Sequence, residues 1–200
     1  MKTILLVDGE NFKGKVASIL KERGTSKRDI RWNNFDFNGL LNKVLEGFDI
    51  AEKIFYFARI KEHEKTKEKS HQLIEDQRLL KTHLERTGFK VILSGRVRGQ
   101  MEDNGYGKQT LVFKEKGVDV KIAVDMVTAA CDKKAENIIL ASSDSDLQPA
   151  ISEVRARKVE CVYLGFEQNP NKGLTYTTNR TILIRNSEVI EYYKTQPTLV

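Results

Sequence analysis

Short apolar runs rich in β-branched residues recur at Thr3 to Val7, Lys53 to Ala58, Lys90 to Leu93, Asn137 to Ala141 and Glu160 to Leu164. Each has the composition of a strand buried on both faces. Between them the apolar residues fall into the i, i+3, i+4, i+7 repeat of a helix with one apolar face. Val120 to Cys131 carries that repeat in Val120, Ala123, Val124, Val127, Ala130 and Cys131, which predicts that this set faces the core. Phe12 to Glu22, Asn38 to Phe48, Ser70 to Thr87 and Leu147 to Arg157 are predicted helices as well. Strands alternating with helices predict an α/β architecture: right-handed crossovers, a mostly parallel sheet and helices on both faces. Such sheets bind ligands at the carboxyl ends of their strands.

Two stretches break the alternation. Lys61 to Lys69 mixes Lys, Glu and His63 without an apolar period and reads as a solvated loop or helix start. Gly95 to Gly117 carries Arg96, Arg98, Lys108, Lys114 and Lys116 on either side of an Asp103-Asn104-Gly105 turn signal. It reads as a basic hairpin projecting from the sheet, with Leu111 to Phe113 as its return strand. No repeat or Pro-rich linker divides the chain. Its 200 residues, 40% of them hydrophobic, suit one well-packed core, so a single domain over 1–200 is expected.

The balance of 34 basic to 28 acidic residues, a formal charge of +6, favours polyanionic partners. Cys131 and Cys161 sit in apolar stretches without metal or redox spacing and read as buried, reduced thiols. The apolar run at the N-terminus is too short for a signal peptide or a membrane span, so a cytoplasmic protein without a membrane partner is expected.

The acidic residues change the picture most. Asp8 follows the first strand, and Asp144 follows the run ending at Ala141, with Asp146 two residues on at a helix start. Asp119 opens the helix that runs to Cys131. In a parallel sheet these aspartates arrive at one edge. Any one of them alone reads as a helix cap or turn residue. Together they would repel one another unless a divalent cation held them, and a hard ion such as Mg²⁺ takes oxygen ligands of this kind. Asn11 offers a neutral oxygen and an amide donor just beyond Asp8. A cation in such a pocket activates water and neutralises charge on a phosphodiester.

Three short motifs, in order, resemble the NYN domain family in its LabA-like branch, which is related to PIN-domain ribonucleases. They are Val7-Asp8-Gly9-Glu10-Asn11, then Lys116-Gly117-Val118-Asp119-Val120 leading through Ala123-Val124-Asp125-Met126, and Ser142-Ser143-Asp144-Ser145-Asp146-Leu147 with Pro149-Ala150 behind it. The resemblance covers about Thr3 to Gly165, with a strand at Thr181 to Ile184 and a helix at Glu188 to Tyr193 as closing elements. It implies a PIN-like, Rossmann-like sheet of five or six strands and Mg²⁺- or Mn²⁺-dependent endoribonuclease chemistry. The implied products are a 5′-phosphate and a 3′-hydroxyl. Asp8, Asp119, Asp144 and Asp146 fall on the family's acidic positions, with Asn11 beside them. On this reading Asp8, Asp119 and Asp144 hold the principal cation, and Asp146 binds a second ion or orients water. Asp125 matches too, but it lies about 600° along the helix from Asp119, so it reads as structural. Ser143 stands where relatives often carry Gly, adding a side chain near the proposed ion.

The implied partner is RNA, which could be single-stranded. Arg96, Arg98, Lys108, Lys114 and Lys116 could hold its phosphates, and Tyr106 could stack on a base. The edge strands and the hairpin could support a homodimer. His63, His71 and His83 have no metal spacing and read as surface or helix-face residues. Trp32 reads as a core or subunit contact. One alternative is a non-catalytic RNA-binding or scaffolding protein that retains the fold. Another is a P-loop-like nucleotide-binding protein, because Gly9 to Lys15 has the G-x4-G-K spacing after a strand. Val16, however, stands where that motif needs a hydroxyl for Mg²⁺.

Overall fold

The computed structural model describes residues 2–26, 29–60, 67–103 and 109–193, without the side chains of 68, 69, 98–103 and 109–115. In chain order the elements are β1 (Thr3–Asp8), α1 (Gly9–Glu22), α2 (Phe37–Val44), β2 (Ile50–Arg59), α3 (Lys67–Arg86), β3 (Lys90–Asp103) and β4 (Gln109–Lys116). There follow α4 (Val118–Cys131), β5 (Asn137–Ala141), α5 (Gln148–Ala156), β6 (Glu160–Phe166), α6 (Lys172–Thr177), β7 (Arg180–Ile184) and α7 (Asn186–Glu191). A single 3-10 turn, Trp32–Asn34, precedes α2 and another, Ser145–Leu147, precedes α5.

The described strands form one seven-stranded sheet in the order β4-β3-β2-β1-β5-β6-β7. Every pairing is parallel except β3 with β4. The count exceeds the five or six implied by resemblance because the return strand of the basic ribbon and β7 both join the sheet. Alternation along β1 splits the core in two. Leu5 and Val7 face the side covered by α1, α2 and α7, while Ile4 and Leu6 face α4 and α5. Each of these residues is at most 5% exposed, so β1 is buried on both faces. β1 also has β2 on one side and β5 on the other. The winding therefore reverses between β1 and β5, and the carboxyl ends of those strands open into a crevice at the switch point.

The apolar face of α4 departs from expectation. Val118, Ile122, Met126, Ala129 and Ala130 are its buried residues, whereas Val120 is 60% and Val124 53% exposed. The helix is apolar around most of its circumference, so periodicity alone admits two stripes, and packing on β1, β2 and α5 selects the one through Ile122 and Met126. Cys131 is exposed, not buried: it ends the helix on the side of Arg157, whose Nε donates to its sulfur at 3.0 Å. Cys161 is buried, as expected, and burial pushes its thiol up to about 12. No described helix is long and apolar enough to cross a membrane.

β3 and β4 run longer than their apolar cores suggested, pairing from Arg96 with Lys116 out to Asp103 with Gln109. The register of β3 against β2 slips between Phe57 and Arg59. Gly95 sits in that slip with φ +71, where a β-carbon would lie 2.2 Å from the Lys116 carbonyl oxygen. Gly117, at φ +88, then turns the chain directly into α4. The tip of the ribbon, including Asn104, Gly105, Tyr106 and Lys108, lies outside the described residues, as does His63.

Candidate metal centre

Asp8 ends β1 and caps α1. Its carboxylate accepts the Asn11 backbone N–H at 3.1 Å, satisfying one of the donors left open at a helix start. The Ser142 hydroxyl, from the segment after β5, donates to its other oxygen at 3.3 Å. Burial raises the Asp8 pKa above the ordinary carboxylate value; the two hydrogen bonds offset part of that, and the nearby charges of Asp144 and Glu10 add to it.

Asp144 repeats the same device three residues beyond β5. It caps the Ser145–Leu147 turn, accepting the Asp146 N–H at 2.9 Å, while Leu147, 1% exposed, anchors the turn in the core and Pro149 lies in the first turn of α5. Asp119 stands in the first turn of α4, aimed by the Gly117 bend. One carboxylate oxygen each from Asp119, Asp144 and Asp146 lies within 4.8 Å of the other two. Oxygen ligands on opposite sides of a hard divalent ion stand about 4–5 Å apart, given bond lengths of about 2.0–2.6 Å. The donor set therefore fits such an ion in both chemistry and spacing.

The set that converges differs in one member from the expected Asp8, Asp119 and Asp144. Asp146, which is exposed, takes a place within ligand reach, and Asp8 stands outside that group as a half-buried residue of the cleft that Asp119 and Asp144 line. This cleft, about 540 Å³, is lined by Asp8, Glu10, Asn11, Lys116, Asp119 and Asp144 among others. Asn11 is committed to holding loops together: its side-chain oxygen accepts the Ser143 N–H at 3.0 Å, which ties the start of α1 to the segment carrying Asp144.

Of the basic residues, Arg96 and Lys116 are exposed and directly opposed across β3 and β4, and Lys116 lines the cleft. Arg59 of β2 pairs with Arg96 in register and extends this row of cations. Arg98 and Lys114 oppose each other one step further out, but their side chains are outside the described set. Asp125 is turned away from the centre. It accepts from the Tyr56 hydroxyl at 2.9 Å and from Lys121 Nζ at 2.6 Å, and burial beside this carboxylate pushes the Tyr56 phenol far upward. His83 packs on the Phe37 ring with its Nε2 3.1 Å from the Phe35 carbonyl oxygen, and His71 lies on the exposed side of α3.

Sequence reasoning missed Ser142, Arg59 and Asn171. The Asn171 side-chain amide donates to the Ser143 carbonyl oxygen at 2.9 Å, while its own oxygen caps α6. Only its capping role had a local signal, as an Asn ahead of a short helical segment. The P-loop alternative is overturned. Gly9 to Lys15 is the start of α1 itself, directly after β1, so no loop stands between strand and helix to wrap a phosphate.

A family model described as the NYN domain matches residues 2–185. No curated protein matches the chain. Among solved structures, the chain is similar to a protein of unknown function from Vibrio parahaemolyticus RIMD 2210633, with a TM-score of 0.53 and 20% identity over 92% of each chain. That likeness bears on the fold alone.

Proposed function

Because the chain belongs to the NYN domain family, a PIN-like nuclease family, we propose that it is a metal-dependent endoribonuclease acting on single-stranded RNA at the Asp119, Asp144 and Asp146 centre. The observation that carries this reading is the meeting of these three carboxylates from two distant segments, each offering an oxygen within 4.8 Å of the others. A Mg²⁺ or Mn²⁺ ion bound there would lower the pKa of a coordinated water and screen the charge on the phosphodiester.

The chain's own residues then divide the work. Asp119, Asp144 and Asp146 hold the ion. Lys116, with Arg96 and Arg59 in the same cross-strand row, neutralises the phosphates on either side of the scissile one. Asp8 and Asn11 act as positioning residues, since their hydrogen bonds to Ser142 and Ser143 fix the turn that presents Asp144. In the hydrolysis, a water oxygen bonds to phosphorus and the P–O3′ bond breaks. The 3′-oxygen takes up a proton, and the products carry a 5′-phosphate and a 3′-hydroxyl.

The test is cleavage of an end-labelled single-stranded RNA with Mg²⁺ or Mn²⁺, and with EDTA as control. Turnover is expected in the wild type and lost in Asp144→Asn, whose circular dichroism spectrum stays that of the wild type. Cleavage that persists in this variant sinks the assignment. An inactive wild type that still binds RNA points instead to a non-catalytic RNA-binding protein that keeps the fold.

A further inference from the structure

We propose that the pocket adjoining the carboxylate cleft is a nucleobase subsite, in which one base of the bound strand stacks on Trp32. The pocket is about 380 Å³ and shares Glu10 with the cleft, so a strand with a phosphate at the aspartates has a cavity of ligand size beside it. Its walls combine the Trp32 and Phe57 rings and the apolar side chains of Leu73 and Leu80 with the polar groups of Lys13 and Asp76. That mixture suits a molecule that is flat and apolar on its faces and polar around its edge.

Several features make this a built surface. Phe57 lies against Gly9 so closely that any β-carbon there would meet the ring at 2.1 Å, which is how the ring reaches the carboxyl edge of β1. Lys13 Nζ is held 5.3 Å from the centroid of Trp32 and 5.7 Å from that of Phe57, and it is paired with Glu10 at 2.6 Å. Its side chain is only 16% exposed, so the ammonium is a fixed donor and not a loose surface charge. Gln77 stiffens the wall by donating to the Ala58 carbonyl oxygen at 2.8 Å. Trp32 itself is half-buried, leaning on Phe37 at a centroid distance of 6.3 Å, so the expected core contact exists and leaves part of the indole open to the pocket.

This assignment rests on the cleft being the seat of a nucleic-acid phosphate, but it is tested without turnover. Trp32 is the one tryptophan in the chain, so its fluorescence reports on the pocket alone. In EDTA, a short single-stranded RNA is expected to quench the full-length protein to saturation and to shield Trp32 from acrylamide, while an abasic strand of equal length does neither. Trp32→Ala should weaken binding, read by anisotropy of a labelled RNA, by roughly five- to 150-fold, the range of one base–aromatic stack, and Trp32→Phe should recover most of it. Equal responses to the RNA and the abasic strand, no response at saturating RNA, or unchanged affinity in a folded Trp32→Ala would each overturn the proposal. If that variant does not fold, the acrylamide measurement on the wild type decides. Quenching by RNA in a wild type that never cleaves would sink the nuclease reading and leave the base pocket standing.

Discussion

Replacing Gly95 by Ala probes the joint between the ribbon and the candidate metal centre. At φ +71 an alanine loses about 1–2 kcal/mol to its own backbone. Its β-carbon would also come 2.2 Å from the Lys116 carbonyl oxygen and 3.2 Å from the Gly117 carbonyl carbon, which are backbone atoms that cannot swing aside. Forced repacking of this kind costs about 1–3 kcal/mol. Together these give about 2–5 kcal/mol, or a fall in Tm of about 4–20 °C for a domain of this size. Gly14→Ala is the comparator, because it sits within α1 with nothing inside 4 Å of the new carbon. There the same substitution should stabilise by about 0.5–1 kcal/mol. Both variants shed a glycine's freedom in the unfolded chain, so their difference reports the native-state cost at Gly95, backbone strain and clash together. Thermal melts by circular dichroism measure it. Because Lys116 and Gly117 lead straight to Asp119, Gly95→Ala should also blunt any metal-induced rise in Tm. A Gly95→Ala protein that melts with or above the wild type would refute the close approach of β3 to the start of α4.

Other outcomes can be checked with the same instrument or nearly so. Mn²⁺ at a hundredfold excess over its Kd should add about 2.7 kcal/mol, a Tm rise of about 5–11 °C; an equal rise in Asp119→Asn would count against the proposed ligands. Tyr56→Phe removes a buried hydroxyl from a charged acceptor and should cost about 1.5–3 kcal/mol while RNA cleavage stays intact, and an unchanged denaturant midpoint would mean the bond to Asp125 contributes nothing. Because Asp8 has a raised pKa, the folded protein binds more protons than the unfolded chain over the interval from the ordinary carboxylate value up to the raised one. Stability should therefore fall as pH climbs through that interval in metal-free buffer. Asp8→Asn, which keeps a capping oxygen, should gain on the wild type over the same interval and hold that gain at neutral pH; parallel pH–stability curves for the two would show that Asp8 carries no such burden.

The layout of the sheet was readable because β1, β5 and β6 are continuous apolar runs, and a chain buried on both faces has no other composition available. The aspartates at their carboxyl ends were readable for the same reason, since a parallel sheet sends every strand end to one edge. Which carboxylates meet was not. Asp8 and Asp144 both follow strands and both cap the next turn, and only the depth of Asp8 and the pitch of the Ser145–Leu147 turn decide that Asp146 comes within reach. The buried stripe of α4 was misassigned through Val120 and Val124 because a helix rich in Val and Ala supports more than one apolar period, and only its neighbours choose between them. Trp32, Phe57 and Lys13 come from three separate stretches of chain, and no local pattern signals that they share a cavity.

The bond from Asn171 to the Ser143 carbonyl spans 28 positions of sequence. It means that the segment presenting Asp144 and Asp146 is braced by a stretch that contributes no carboxylate to the group. A version trimmed after β6 would keep the central strands in order yet lose this brace. Aspartates set on a slackened support hold a cation poorly even when every one of them is present. The smallest working form of this protein is therefore set by where its scaffolding ends, well past the last acidic residue of the site.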